Sequence, residues 1–138
     1  MKTLFRSIYS TAIILGIAAT ITTSCKKENE EDELSMTLKT DSGYTFESGN
    51  VSTGTDVKFG IEAQTTKKKD PIIKFTISES INGKADEVVY SEDLEVTQYD
   101  HDYNFTFSDT AGSIHEYTFA LTNRDGIVLL KMVTLTGQ

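Results

Sequence analysis

The stretch Tyr117-Thr-Phe-Ala-Leu-Thr-Asn-Arg-Asp-Gly126 decides the fold class. Its first six residues alternate between large apolar and small or polar side chains, which is the period of a strand with one buried face. Asn, Asp and Gly then supply a turn, because Gly and Asn adopt positive φ and Asp bonds to its own backbone. The run from Ile127 to Thr136 follows, and it is apolar on both faces at first. The sequence thus predicts a strand, a turn and a second strand whose register is open and compatible with a bulge.

The same alternation recurs upstream in three segments, whose predicted inward residues are Val57, Phe59, Ile61 and Ala63, then Ile73, Phe75 and Ile77, then Tyr103, Phe105 and Phe107. Residues 36–39 and 44–46 predict a split first strand. Residues 88–90 with Leu94 predict a shorter edge strand. Turn residues separate these segments, and no helical period persists after position 35. The pattern predicts an all-β fold, an antiparallel β-sandwich of seven to eight strands.

A family resemblance refines this fold. The segment 117–126, with its closing Val-Thr-Leu-Thr136 run, resembles the final hairpin of bacterial immunoglobulin-like and PKD-like domains. Gly54-Thr-Asp-Val-Lys-Phe59 is similar to their second strand. Trp is absent and the cysteine pair of antibody domains is missing, so the likeness is one of topology. It implies one immunoglobulin-like domain over residues 35–138, with no catalytic residue and no cofactor.

The first 24 residues have the pattern of a secretory signal peptide. Lys2 and Arg6 precede an apolar run from Thr11 to Ile21, and small polar residues continue to Ser24. The apolar run is shorter than the roughly 20 residues that a membrane-spanning helix needs. A membrane anchor helix is the alternative interpretation.

The only cysteine follows directly. Thr22-Thr-Ser-Cys25 resembles the lipobox of bacterial lipoproteins, in which cleavage falls before a cysteine whose sulfur carries a diacylglyceryl group. Thr22 departs from the usual Leu, Val or Ile, a position at which Bacteroidota lipoproteins are looser. The resemblance implies lipidation of Cys25. The alternative is a lone free thiol, which is unusual in a secreted chain.

Residues 25–34 are predicted to form an acidic, disordered tether, since residues 26–33 hold two lysines and five acidic side chains. The tether resembles the export signals that follow the cysteine in surface-exposed Bacteroidota lipoproteins. That resemblance implies a small outer-membrane lipoprotein at the cell surface, anchored in the membrane through its lipid. A plain spacer on a periplasm-facing lipoprotein is the alternative.

The charge balance excludes one class of partner. Without Lys2 and Arg6, the chain has 11 basic and 21 acidic residues, a net charge of −10. Such a chain repels phosphate backbones, so we expect no binding to nucleic acid. Its length after the signal suits one domain with one core.

The densest polar cluster is Gln98-Tyr-Asp-His-Asp-Tyr103. Asp100 and Asp102 are candidate ligands for a cation, with His101 between them. In a strand the two aspartates would share one face and His101 would take the other, so the three converge only in a loop. A solvated turn leading into the next strand is the simpler interpretation, and we expect no metal site.

Nothing in the sequence predicts catalysis. His115 shares strand parity with Tyr117 and Phe119, which predicts a partly buried strand residue and not a general base. No serine or threonine lies in a nucleophile-elbow motif. We therefore expect that the protein is not an enzyme.

Two loops hold features of their own. Asp109-Thr-Ala111 resembles the short O-glycosylation motif of exported Bacteroidota proteins, with Thr110 as the acceptor. Lys67-Lys-Lys69 is the basic cluster of the domain, and it is expected to be a solvated loop before Pro71, with an acidic partner as the alternative.

Two functional classes fit these features: a surface binding or adhesion module for a glycan or protein, or an accessory subunit of an outer-membrane or periplasmic complex. Tyr44, Tyr90 and Tyr99 are the rings expected to be exposed, too few for a glycan platform, which favours protein contacts. An exposed patch of Tyr and aliphatic side chains on one sheet face, larger than a few hundred Å², would indicate a docking subunit. A concave cluster of loop residues would indicate a ligand binder.

Overall fold

A computed structural model describes residues 33–138, which form eight β-strands in two sheets. The strands are β1 (Leu34–Leu38), β2 (Gly49–Val51), β3 (Asp56–Thr65), β4 (Ile72–Ile81), β5 (Glu87–Val96), β6 (Gln98–Thr106), β7 (Ile114–Asn123) and β8 (Val128–Gly137). One sheet has the order β1-β3-β6 and the other β2-β8-β7-β4-β5. All neighbours are antiparallel except β2 and β8. The predicted all-β sandwich is confirmed.

The core lies between the two sheets and is built from the alternating inward residues. Phe59 of β3 is fully buried, and its ring centroid lies 5.1 Å from those of Tyr117 and Phe119 on β7. Such tilted and edge-on ring pairs add stabilisation to the burial of the rings themselves. The aromatics predicted to point inward are in the core or pack against it: Phe59, Phe75, Tyr103, Phe105, Phe107, Tyr117 and Phe119.

The hairpin of β7 and β8 forms at the predicted turn. The Asn123 N–H donates to the Ile127 carbonyl, the Asn123 side chain accepts from the Ile127 N–H, and Gly126 has a φ of 83°. Pairing then continues without a shift from Thr122↔Val128 to Ile114↔Thr136, so β8 has no bulge. The register shifts lie instead where β4 pairs with its neighbours, with an extra residue in β4 opposite β7 and extra residues in β5 opposite β4. At the shift between Ile72 and Lys74, Ile72 is fully buried and Ile73, which was predicted to point inward, is only half-buried.

Three strand boundaries differ from the expectation. β1 begins at Leu34, one residue before the expected start of the domain, and Leu34 is fully buried. Residues 44–46 are not a strand; the second edge piece is β2, which crosses to the other sheet and pairs with β8. β5 is an edge strand as expected, but it is ten residues long.

The predicted signal peptide, Cys25 and most of the predicted tether lie outside the described residues. Residues 33–138 contain no helix with the length and hydropathy needed to cross a bilayer.

Candidate functional site

The outer face of the three-stranded sheet has a shallow depression, here called the polar trough. The strand register places Ser35, Gln64 and Gln98 in one row across the sheet. Thr37, Glu62 and Asp100 form the next row. These six side chains line an open volume of about 440 Å³. The trough therefore presents hydroxyls, amides and carboxylates from a rigid sheet to solvent.

Asp100 of the polar trough belongs to a network of charged side chains. The ammonium of Lys39 lies 2.8 Å from Asp100 Oδ1 and 3.0 Å from Asp102 Oδ1. Lys58 lies 2.8 Å from Asp102 Oδ2, and the Tyr44 hydroxyl donates to the same carboxylate at 3.0 Å. Hydrogen bonds from Lys58 and then Lys39 lower the pKa of Asp102 to about 2. The hydrogen bonds that the Lys39 ammonium donates to Asp100 and then to Asp102 raise the pKa of Lys39.

A glycine allows this network to form. The ring of Tyr44 lies over Gly60, where an added Cβ would be 2.4 Å from Tyr44 Cε1 and 2.6 Å from Lys39 Cδ. Any other residue would push the ring off the sheet. The Lys58 ammonium lies 4.4 Å from the ring centroid, which is a cation–π distance.

The cluster around Asp100 takes the strand arrangement. Residues 98–106 are β6, so the predicted solvated turn is wrong. Asp100 and Asp102 share the outer face and His101 points inward, as the parity of a strand requires. Both aspartates form ion pairs with lysine ammonium groups, Asp100 with Lys39 and Asp102 with Lys58. Across residues 33–138, no three His, Cys, Asp or Glu side chains are grouped to hold a metal ion.

Tyr90 and Tyr99 form a second polar group at the open edge of the sandwich. Their hydroxyls donate to the same Glu92 Oε2 at 2.8 and 2.7 Å, and the His101 ring stacks on Tyr90 at 4.2 Å. The hydrogen bond from Tyr99, then that from Tyr90, lowers the pKa of Glu92. Burial, then Glu92, raises the pKa of Tyr99.

The three tyrosines expected to be exposed are instead half-buried and hydrogen-bonded to carboxylates. For Tyr99 the sequence held a usable signal, since it shares strand parity with Tyr103 and Phe105.

His115 lies in a third polar group, inside the sandwich. It is 6% exposed, which confirms the predicted buried strand residue. Its Nδ1 lies 2.7 Å from Glu79 Oε1, and the Tyr117 hydroxyl donates to that same oxygen at 2.6 Å. Its Nε2 lies 2.8 Å from Asp109 Oδ2 without the geometry of a directed hydrogen bond. Burial, then Glu79, raises the pKa of Tyr117.

The two segments predicted to be loops, around Thr110 and around Lys67–Lys69, both lie outside the strands. Thr110 is exposed in the turn between β6 and β7, and its carbonyl accepts a hydrogen bond from Ser113. Lys68 and Lys69 are exposed before Pro71, while Lys67 pairs with Glu33. Glycosylation of Thr110 stays a prediction.

The sequence interpretation missed an apolar row on the outer face of β8, here called the β8 row. Val128, Leu130 and Met132 are 51%, 64% and 61% exposed. The sequence does contain a signal for this row, since the β8 segment is apolar on both faces. Only one of those faces can pack against the core of a two-sheet sandwich, so the other must present apolar side chains to solvent.

The fold and these surfaces define a small all-β domain of two packed sheets. No protein-family model and no curated protein matches the sequence. Among solved structures, a β-glucosidase from Listeria innocua in complex with glucose is similar, with a TM-score of 0.49 and 9% identity over 76% of this chain and 16% of that chain. The sporulation control protein Spo0M from Bacillus subtilis has a TM-score of 0.42 and 10% identity over 77% of this chain and 49% of that one. The chain thus spans less than half the length of either, and the likeness is one of β-sandwich architecture.

Proposed function

We propose that the protein is a non-catalytic binding module of a bacterial outer membrane. In this proposal a lipid on Cys25 anchors the chain, the acidic tether extends from the membrane, and an immunoglobulin-like sandwich is displayed at the cell surface. The observation that carries the proposal is the polar trough, where six hydrogen-bonding side chains are arranged in two rows on a rigid sheet. A preformed polar surface binds a ligand without a large ordering cost.

The chemistry of the polar trough selects its ligand. The amides of Gln64 and Gln98 suit neutral polar groups, and the carboxylate of Glu62 disfavours anions. Glycan sites add exposed aromatic rings, but Tyr44, Tyr90 and Tyr99 are half-buried and hydrogen-bonded. A polar, neutral or basic protein surface is therefore the partner we propose.

A matched pair of variants tests the polar trough. The full chain would be presented to immobilised extracellular-matrix proteins and to neutral polysaccharides, with retention measured by interferometry. Gln64→Ala with Gln98→Ala should abolish protein binding, because it removes both amides from the polar trough. The fold should be unaffected, because both side chains are exposed and lie outside the core. Asn104→Ala with Thr106→Ala, two exposed positions farther along β6, is the control and should bind normally. Equal binding by both pairs of variants would show that the binding site lies outside the polar trough. Binding to polysaccharide alone would indicate a glycan ligand and not a protein partner.

Anchoring and location have their own test. A palmitate analogue should label the wild-type chain in cells and fail to label Cys25→Ser. Proteinase K on intact cells should then degrade the domain while a periplasmic control survives. Protection of a domain that is cleavable once purified would indicate the periplasm-facing alternative.

The β8 row supports a second candidate, an accessory subunit that docks on a larger envelope complex. Crosslinking in cells should then capture a partner with the wild-type chain and not with Met132→Lys, whose added charge lies in the row.

A further inference from the structure

The edge of β8 is open along most of its length. β2 pairs only with Leu135–Gly137, and the Ser48 hydroxyl covers the Thr134 N–H at 2.9 Å. Within the described chain, no strand pairs with residues 128–133 on the side away from β7. Open edges are where sheets gain further strands.

The backbone groups on this edge belong to the β8 row. The Asn123 N–H donates to the Ile127 carbonyl, so Ile127 faces β7. Residues alternate in an antiparallel ladder, so the N–H and C=O groups of Val128, Leu130 and Met132 point away from β7. Thr134 has the same parity, and its N–H does point away from β7 and donates to the Ser48 hydroxyl oxygen. Three residues therefore combine free backbone groups with exposed apolar side chains.

We propose that this edge binds the same edge of a second copy, in antiparallel register about a two-fold axis at Leu130. Leu130 then pairs with Leu130 of the second copy, and Val128 pairs with Met132 in both directions. All three pairs are of the hydrogen-bonded kind, since the free backbone groups of one copy face those of the other. The two five-stranded sheets become one continuous sheet.

The spacing of the β8 row favours a second copy over a foreign strand. An isologous contact needs a surface that is complementary to itself under a two-fold rotation. Val128, Leu130 and Met132 form such a surface, because Leu130 lies on the two-fold axis and an apolar side chain lies two residues from it on each side. The centre at Leu130 also keeps β2 of each copy clear of the paired residues, since β2 begins opposite Leu135.

Charge does not oppose this register. Lys131 has the opposite parity to the row, so it faces Leu129 of the second copy and not its own equivalent. The two Lys131 side chains are diagonal neighbours with Cβ atoms roughly 7–8 Å apart, and long side chains at that spacing splay into solvent.

The size of the contact predicts a weak dimer. Five paired residues in each copy bury less than the roughly 1,000 Å² of a stable interface, so we expect a dissociation constant on the order of 100 µM in solution. The membrane anchoring proposed above would favour the dimer by raising the effective concentration of tethered copies to about millimolar.

Introduced cysteines test the register in the full chain, purified in mild detergent with Cys25→Ser so that no other thiol is present. The Cα atoms of a hydrogen-bonded pair lie about 5.5 Å apart, within the range of a disulfide. Leu130→Cys should form a disulfide-linked dimer under mild oxidation. Val128→Cys and Met132→Cys should each stay monomeric, because their equivalents lie about 14 Å apart at 3.4 Å per residue. Val128→Cys combined with Met132→Cys should link. Equal linking by all single variants, or none by Leu130→Cys, would overturn the proposal.

Sedimentation provides a measurement without cysteines. The wild-type chain should dimerise reversibly, and Leu130→Lys should raise the dissociation constant at least tenfold by placing two charges opposite each other. Ile114→Lys is the control, because Ile114 is exposed on β7 away from the edge, and it should dimerise as the wild type does. A wild-type chain that stays monomeric at about 500 µM, well above the constant expected from the contact size, would overturn the proposal and favour a strand from another protein.

Discussion

Tyr117→Phe should destabilise the domain by removing a single hydroxyl. The ring is 2% exposed and packs on Phe59 and Phe105 at 5.1 Å, contacts that phenylalanine keeps. The hydroxyl donates to Glu79 Oε1 at 2.6 Å, and the Glu79 side chain is only 19% exposed. The substitution therefore removes one charge-assisted hydrogen bond from a carboxylate that solvent reaches poorly.

The expected loss follows from that contact. A hydrogen bond to a charged group contributes about 1.5–3 kcal/mol, so we expect the free energy of unfolding to fall by about 2 kcal/mol. For a domain of this size that loss lowers Tm by about 8–16 °C. Urea unfolding followed by circular dichroism would measure the free energy, and a thermal scan would measure Tm.

Tyr103→Phe is the matched control. Burial and then the charge of Glu79 raise the pKa of Tyr103, with no hydrogen bond among the causes. The free energy of unfolding of Tyr103→Phe should therefore differ from that of the wild type by no more than about 0.5 kcal/mol. If both variants lose the same stability, or if Tyr117→Phe loses none, the hydrogen bond to Glu79 does not stabilise the fold as argued.

Three further predictions follow from the same structure. Asp102 should titrate near 2 by carbon-detected NMR, and Lys58→Met should raise that pKa; because the folded pKa is depressed, its contribution to stability is present above about 4 and is lost as the pH falls towards 2. Burial raises the pKa of Tyr99 and Tyr117, so stability should be full below about pH 10 and fall above it as the unfolded chain ionises first. Absorbance at 295 nm should show these rings ionising together with unfolding, and separate ionisation in a folded chain would contradict the burial argument. Phe59→Ala should cost about 3–5 kcal/mol, because it removes a fully buried ring at the junction of the two sheets; a loss below about 1 kcal/mol in urea unfolding would show that the core collapses into the space.

The parity of side chains along a strand was readable from the sequence. His115 was placed inward because it alternates in step with Tyr117 and Phe119, and it is buried. The same rule applied to Tyr99 gives the inward position that the structure shows. Parity fails where a bulge intervenes, as at Ile72 and Ile73, since one extra residue in β4 opposite β7 reverses the faces.

The functional surfaces were less readable, because each is made by strands distant in the chain. Thr37, Glu62 and Asp100 form one row of the polar trough only because β3 lies between β1 and β6. Asp102 was a candidate cation ligand in the sequence, and Lys39 and Lys58, which occupy its carboxylate, come from two other segments.

The sequence by itself determined most of the strands, most of their turns and most of the buried aromatics, because a period of two and the conformations of Gly, Asn and Asp are local properties of the chain. The tertiary structure decided which strands are neighbours, where β4 bulges, and that β2 covers only the last residues of β8. Those choices depend on how two sheets bury one shared core, and no local pattern encodes them. The polar trough and the open edge of β8 both follow from that strand order.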